Sequence, residues 1–214
     1  MNQKNQNSLT YWETYYKNNN PKEIKYDNWL DAYSEKIQIT QSPILDLGCG
    51  SGNDTLYLLE RGKQVIPCDQ SKNAISSIQE KFPEITEVYC FNMLGGFPFE
   101  TESFDVIIAD LCLHYFLEAD TTRILDEISR ILRPDGCLLF RVNSIHDVNH
   151  GAGKGQEVEP HLYLTSDGRY KRFFDETDIR HIFRNYKIED ICEETMGRYR
   201  LEKRLYKGCA RKSG

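Results

Sequence analysis

The chain has 214 residues, of which 39% are hydrophobic and 28% charged, with 13 Tyr, 10 Phe and a formal net charge of −6 at pH 7. That length suits one substantial α/β domain whose core needs neither disulfides nor a structural metal, and the composition excludes a chain disordered throughout. The acidic balance argues against general binding to a phosphate backbone, which draws its affinity from Lys and Arg, so no nucleic-acid partner is expected.

The opening stretch MNQKNQNSLTYWETYY is polar, which fits neither a secretory signal nor an Arg-rich transit peptide, and no apolar run reaches bilayer length. The seven cysteines, at 49, 68, 90, 112, 137, 192 and 209, are scattered singly with no metal spacing. They read as reduced thiols in a cytoplasmic chain with no membrane partner. Within residues 1–40, Tyr11, Trp12, Tyr15, Tyr16, Tyr26, Trp29 and Tyr33 recur at roughly helical spacing. This segment is expected to form a helical cover, either an apolar face docked on a sheet or an aromatic lid over a ligand. Residues 41–214 form the main domain.

Apolar runs bounded by turn residues predict strands at 43–48, 63–69, 104–110 and 136–142, each short and buried on both faces. Helices are expected between them at Asn53 to Glu60, Lys72 to Lys81 and Asp120 to Leu132, the last with an apolar stripe of Ile124, Leu125, Ile128, Ile131 and Leu132. Such alternation implies a parallel sheet with right-handed crossovers. Arg133 to Gly136 read as a sharp turn into the fourth of these strands. Residues 143–167 are rich in Gly, His and polar side chains without periodicity, and predict a mobile lid without strands of its own, Val158, Leu162 and Tyr163 being the residues able to pin it. A helix over Asp175 to Tyr186, capped by Asp175 or Thr177, then leads into YKIEDICEE and RLYKGCARK as a closing antiparallel pair. The basic residues of that tail read as solvated flanks of a strand.

The chemistry concentrates at Ile44-Leu45-Asp46-Leu47-Gly48-Cys49-Gly50-Ser51-Gly52-Asn53, a strand running through a Gly-rich turn into a helix. Glycines there permit a sharp turn and close approach of a ligand to the backbone. Asp46 stands where a carboxylate can face an ammonium group, and the spacing is GxGxG rather than the GxGxxG of a dinucleotide fold. Asp69, at the end of the second strand, is suited to accept both hydroxyls of a ribose; the alternative is a helix cap for the segment beginning near Ser71.

DLGCGSG, Asp69, FDVIIAD and the ILRPDG turn, in that order, resemble the class I S-adenosylmethionine-dependent methyltransferases over roughly residues 40–142. The resemblance implies a three-layer α/β sandwich around a seven-stranded, mostly parallel sheet whose last strand is antiparallel. It also implies S-adenosylmethionine as cofactor, lying across the carboxyl ends of the first strands. Carried over, Asp46 and the turn of Gly48, Cys49, Gly50 and Gly52 hold the methionine moiety, and Asp69 with Gln70 beside it holds the ribose. Asn92 and Met93 meet the adenine, where many relatives have Asp in place of Asn92, and Asp110 and Leu111 lie beside the sulfonium. The NPPY-like motif of enzymes that methylate amino groups of adenine or glutamine is absent from Ala109 to Phe116. More faintly, the whole chain is similar to bacterial small-molecule methyltransferases of the tellurite-resistance and thiopurine type.

Methyl transfer is an in-line displacement that rests on alignment and exclusion of water, with a base needed only for a protonated acceptor. His114, at the fourth strand end, and its neighbour Tyr115 are the candidate catalytic residues. His146, His150 and His161 are lesser candidates, and with Asp147, Glu157 or Glu159 they match no metal-site spacing, so no metal is expected. Asn143, His146, Tyr170, Arg172 and Phe173 are expected to line the acceptor pocket. The resulting expectation is methyl transfer to a small-molecule acceptor. Competing readings are an NAD-dependent oxidoreductase, a cofactor-binding module without transfer activity, and a methyltransferase acting on RNA or protein.

Overall fold

The computed structural model describes residues 3–21 and 23–213; positions 1, 2 and 22 of the expected N-terminal cover lie outside the described residues. Its centre is a seven-stranded sheet of β1 (Ile44–Leu47), β2 (Val65–Asp69), β3 (Tyr89–Cys90), β4 (Phe104–Asp110), β5 (Leu132–Asn143), β9 (Tyr186–Met196) and β10 (Lys203–Lys212), in the order β3-β2-β1-β4-β5-β10-β9. The first five are mutually parallel and β10 runs antiparallel to both β5 and β9. This is the seven-stranded, mostly parallel sandwich expected from the sequence.

Successive residues of the central strands bury on opposite faces, as the period-2 pleat requires. Leu45, Leu47, Ile107, Ala109, Leu138 and Phe140 pack with α5 (Glu118–Ile131) and α6 (Glu176–Ile182). Ile44, Val106, Ile108 and Leu139 pack with α3 (Asn53–Leu59) and with Trp29, Leu30, Tyr33 and Ile37 from the short turn Trp29–Tyr33 and α2 (Ser34–Ile39). A third cluster seats α4 (Lys72–Lys81) through Ile75 and Ile78 against Cys49 and Phe82. Among the described residues no helix is long and apolar enough to cross a membrane.

Helix α1 (Gln3–Asn18) is held to α4 by one carboxylate. Glu13 accepts hydrogen bonds from the Lys72 and Asn73 amides at 2.8 and 3.2 Å and from the Ser71 hydroxyl at 3.0 Å, neutralising the exposed donors at the start of α4. Asn7 reaches the carbonyl of Gly168 at 3.3 Å, and Trp12 meets the edge of Tyr115 at 5.4 Å. Tyr11, Trp12, Tyr15 and Tyr16 thus lie on a helix tied to separate parts of the domain, whereas Trp29 and Tyr33 are buried in the core.

Two expectations are corrected. β5 begins at Leu132, which pairs with Phe104 before Asp135 (φ 64°) makes the bulge that shifts the register to Val106 opposite Cys137, so the turn lies inside the strand. The segment after β5 is not strandless. Gln156–Glu159 (β6), Leu162–Leu164 (β7) and Tyr170–Arg172 (β8) form a small antiparallel sheet. Leu162, fully buried, anchors it, whereas Val158 stays 40% exposed. Isolated apolar residues carry no periodic signal, but pairing with β8 supplies the partner that the local composition lacks. α6 starts with a capping box made by Asp175 and Asp178, which resolves its cap in favour of Asp175.

Arg141 of β5, 1% exposed, joins four parts of the chain. It grips Asp110 of β4 with two bonds of 2.7 Å, donates to Asp27 at 2.8 Å and lies 4.6 Å over the Trp29 ring, while Arg198 from the β9–β10 loop reaches Asp110 at 3.1 Å. Arg141→Met leaves Asp110 and Asp27 without this partner in a buried setting. Its expected cost is about 3–5 kcal/mol of folding stability, read as a shift of the urea midpoint at unchanged slope.

Candidate active site

The carboxyl ends of β1, β2 and β4 open into a cavity of about 520 Å³. This is where ligands bind in open α/β sheets, because adjacent connections diverge there. On the floor, Asp46 is 2% exposed and accepts a 2.6 Å hydrogen bond from the Thr55 hydroxyl. Burial pushes its carboxyl up to about 7; the Thr55 bond opposes this and the nearby Asp110 and Asp69 add to it. Asp54, in the first turn of α3, also lines the cavity at 3% exposure and accepts from the Trp29 indole at 2.9 Å. Burial first, then Asp110 and Asp46, drive it well above the usual carboxylate range. Neither acid is ion-paired with a Lys or Arg among the described residues, so the floor holds two buried carboxyl groups without a cationic partner.

The turn after β1 is drawn tightly onto β2, with the Gly48 and Cys49 amides both donating to the Cys68 carbonyl at 2.8 and 2.9 Å. Gly50 (φ +53°) donates to Asp69 Oδ2 at 3.1 Å, and a side chain on it would collide with the Tyr16 hydroxyl of α1. A Cβ on Gly48 (φ +73°) would sit 2.6 Å from that of Cys112. These positions accept only glycine, and the bare backbone they leave is what a ligand lying along the turn requires. Asp69 also accepts from the Ser71 amide at 2.9 Å. Burial raises its carboxyl to about 6, against the pull of the Ser71 and Gly50 bonds. The cap of α4 is Ser71, whose hydroxyl accepts from Ala74 at 3.2 Å, not Asp69. Asn92 spends its Oδ1 on the Leu94 amide at 2.9 Å, capping a single turn over Met93–Gly95, and both Asn92 and Met93 face the cavity.

Of the residues expected to bind the cofactor, Asp46, Gly48, Cys49, Gly50, Asp69, Gln70, Asn92, Met93, Asp110 and Leu111 all line this cavity. Gly52 does not; at φ +86° it starts α3 and packs close to Ile78 and Phe82. The Asp110 carboxylate is committed to Arg141 and Arg198, which overcome its burial and hold it below the usual range. Leu111 is held at φ +54° by its amide's bond to the Arg141 carbonyl, a conformation that a non-glycine residue adopts only under constraint.

The roof comes from sequence-distant elements: α1, the β8 hairpin and the loop between β9 and β10. His114 and Tyr115 line it with ring centroids 4.2 Å apart. His114 is 1% exposed, its Nδ1 has no hydrogen-bond partner, and burial followed by Lys203, Lys171 and Arg169 holds it well below 6.5, so it is neutral. Asn143 also reaches the cavity, accepting from Lys203 at 2.6 Å.

Four other expected acceptor residues stay outside the cavity lining, Phe173 among them as a buried core residue. His146 turns to Glu193 at 2.8 Å, Arg172 spends its guanidinium on Glu159 and the Pro160 carbonyl, and Tyr170 pairs with Leu164 in the small sheet. His161 approaches Asp175 and Asp178, but those carboxylates form the α6 capping box, Asp178 accepting from His161 at 2.7 Å. Sequence reasoning missed Asp54, although an acid in the first turn of the helix opening from the Gly-rich turn is a readable signal. It also missed Lys171, Arg198, Tyr199 and Lys203, for which no local pattern exists.

The methyltransferase-domain family matches residues 45–140. A fruit-fly (Drosophila melanogaster) protein named tRNA N(3)-methylcytidine methyltransferase Mettl2 is 30% identical over 189 residues, covering 79% of this chain and 58% of its own. The tRNA(Thr) (cytosine(32)-N(3))-methyltransferase of Saccharomyces cerevisiae is 25% identical over 206 residues, covering 87% of this chain and 33% of its own. The chain thus spans between a third and three fifths of these relatives. Among solved structures, the 1,6-didemethyltoxoflavin-N1-methyltransferase of Burkholderia thailandensis, with S-adenosylhomocysteine bound, superposes with a TM-score of 0.70 at 22% identity over 98% of this chain and 89% of that one. It shows the shared fold.

These relatives overturn two expectations, a small-molecule acceptor and the absence of a nucleic-acid partner. The expectation was argued from the net charge of −6, an average that conceals five cations, Lys25, Arg169, Lys171, Arg198 and Lys203, lining one cavity.

The raised carboxyl of Asp46 has a signed consequence for the ligand-free protein. Below pH 4 the group is protonated whether the chain is folded or not; between about 4 and 7 only the unfolded chain ionises it, so its contribution favours unfolding increasingly as pH rises through that window. Asp46→Asn is expected to be more stable than the parent at pH 8 and to lose that advantage by pH 4, as measured by parallel thermal melts.

Proposed function

We propose, from the premise that the chain is a class I, Rossmann-like S-adenosylmethionine-dependent methyltransferase, that it methylates a base in RNA, with N3 of a tRNA cytidine as the acceptor. The observation that carries this reading is the similarity to tRNA cytidine N(3)-methyltransferases over most of this chain, extending beyond the cofactor-side region that methyltransferases share. The aromatic and cationic roof agrees with it, since unstacked bases are held by aromatic faces and phosphates by Lys and Arg. We assign residues 41–214 to the methyltransferase domain and residues 1–40 to its cover, and place the chain in the cytoplasm, in keeping with its seven unbridged cysteines.

In this assignment Asp46 and Asp54 receive the ammonium of the methionine moiety, and the Gly48 to Gly50 backbone lies along it. Asp69 accepts the ribose hydroxyls, and Asn92 and Met93 meet the adenine. When bound, S-adenosylmethionine would supply an electrophilic methyl on a sulfonium, the acceptor lone pair bonding to that carbon in line as the carbon–sulfur bond breaks and its electron pair leaves with sulfur as S-adenosylhomocysteine. N3 of neutral cytosine carries a free lone pair, so no general base is required of the protein. His114, held neutral, offers Nδ1 as one hydrogen-bond partner for the base edge, and Tyr115 packs beside it. Trp12, Tyr16 and Tyr115 wall off the cavity from water.

The deciding experiment is incubation with labelled S-adenosylmethionine and unmodified tRNA, followed by nucleoside mass spectrometry. 3-Methylcytidine is the expected product, and a methylated product at any other atom, or none, rejects the reading. Separately, Asp69→Ala is expected to weaken S-adenosylhomocysteine binding by about 1.5–3 kcal/mol in calorimetry, the value of a charged hydrogen-bond acceptor. An unchanged affinity removes Asp69 from the cofactor site.

A further inference from the structure

The roof cations are not evenly matched by acids. Lys203 is 4% exposed and spent on Asp147 and Asn143, at 2.8 and 2.6 Å, and Arg169 pairs with Asp167 at 2.7 Å while lying 3.4 Å over the Tyr11 ring. Lys171 has no carboxylate partner among the described residues. Its ammonium donates to the His150 carbonyl at 2.7 Å and lies 5.3 Å from the centroid of the Phe173 ring, and the residue lines the cavity. Arg198 gives one nitrogen to Asp110, and its buried Nη1 has no partner. Beneath them lies the unpartnered Nδ1 of His114, a buried polar atom of a side chain that is 1% exposed. Burial and the nearby Lys203 bring Lys171 down only to about 8, so it still carries most of its charge at neutral pH. Unmatched positive charge on Lys171 and an orphaned donor on Arg198 describe a place for an anion, whereas Asp46 and Asp54, which have no Lys or Arg ion-pair partner among the described residues, describe a place for a cation.

We infer that Lys171 and Arg198 form a phosphate subsite on the acceptor side of the cavity, which takes the phosphate adjoining the base to be methylated. The inference rests on the RNA-base reading above and deepens it. It assigns to this domain, acidic as a whole, a direct contact with the nucleotide's phosphate. Tyr199 completes the wall, with the Arg198 guanidinium and the Lys203 ammonium 5.9 and 5.8 Å from its ring centroid and the His150 ring at 5.3 Å.

The test is calorimetry on the full chain saturated with S-adenosylhomocysteine, so that any subsite for the cofactor's carboxylate is already filled. The probes are cytidine, cytidine 5′-monophosphate, inorganic phosphate and a pentanucleotide with one central cytidine. The monophosphate or the pentanucleotide is expected to bind at least ten-fold more tightly than cytidine at low salt, which of the two does so distinguishing a terminal from a bridging phosphate. That gap should shrink at high salt. Lys171→Gln should remove most of the gap and Lys171→Arg restore it, while S-adenosylhomocysteine affinity stays within two-fold. Equal affinity for cytidine and both phosphate-bearing probes overturns the subsite, as does a gap that survives Lys171→Gln. Phosphate binding as tightly as the nucleotides would place the anion apart from the base and also overturn it. A loss of S-adenosylhomocysteine affinity in Lys171→Gln would assign the charge to the cofactor instead. Because these readouts are binding constants, failure of the subsite is distinguishable from failure of the RNA reading, which the product analysis decides alone.

Discussion

The site depends on a guanidinium that does not itself line the cavity. Arg141 binds Asp110 through two parallel bonds, and so fixes the end of β4 against β5, while its third contact to Asp27 and its stacking on Trp29 hold the segment leading into the first helical layer. Arg198 joins from the other side and thereby locates the β9–β10 loop over the cavity. A charge this deeply buried is costly unless every direction of its fork is answered, and here three are. The arrangement also keeps Asp110 ionised between two arginines, so that it does not compete with Asp46 and Asp54 for an incoming cation.

Around that anchor the two walls carry opposite electrostatic characters. The floor presents carboxylates whose burial already favours their neutral forms, and the roof presents cations with fewer acids than they could use. A cavity with acidic floor and basic roof suits a zwitterionic or doubly charged occupant set better than any single neutral molecule. The neutral His114 lies between them, its charge suppressed by burial and by the same cations.

Legibility in the sequence followed the range of the interactions. β4 and α4 were read to the residue and the cofactor turn almost so, because the signals there, two-faced apolar runs, a serine cap and a glycine-spaced turn, lie within a few positions of one another. The acceptor side was not readable in the same way. Lys171 and Lys203 come near His114 only because β8 folds back beside it, the Arg172 amide bonding the His114 carbonyl at 2.7 Å, and because β10 returns alongside β5. Leu162 shows the same limit, since its burial comes from pairing with β8 and from no pattern of its own neighbours.

The hold of Glu13 on the start of α4 bears on two parts of the cavity at once. The α1 helix that it anchors puts the Tyr16 hydroxyl over Gly50 and Trp12 against Tyr115, so one helix borders both the backbone cradle and the acceptor wall. The contacts that seat this helix, Glu13 toward one end and Asn7 toward the other, are polar and few. The approach of Tyr16 to Gly50 and that of Trp12 to Tyr115 therefore share one support, so that weakening the seat of the helix loosens both borders of the cavity together.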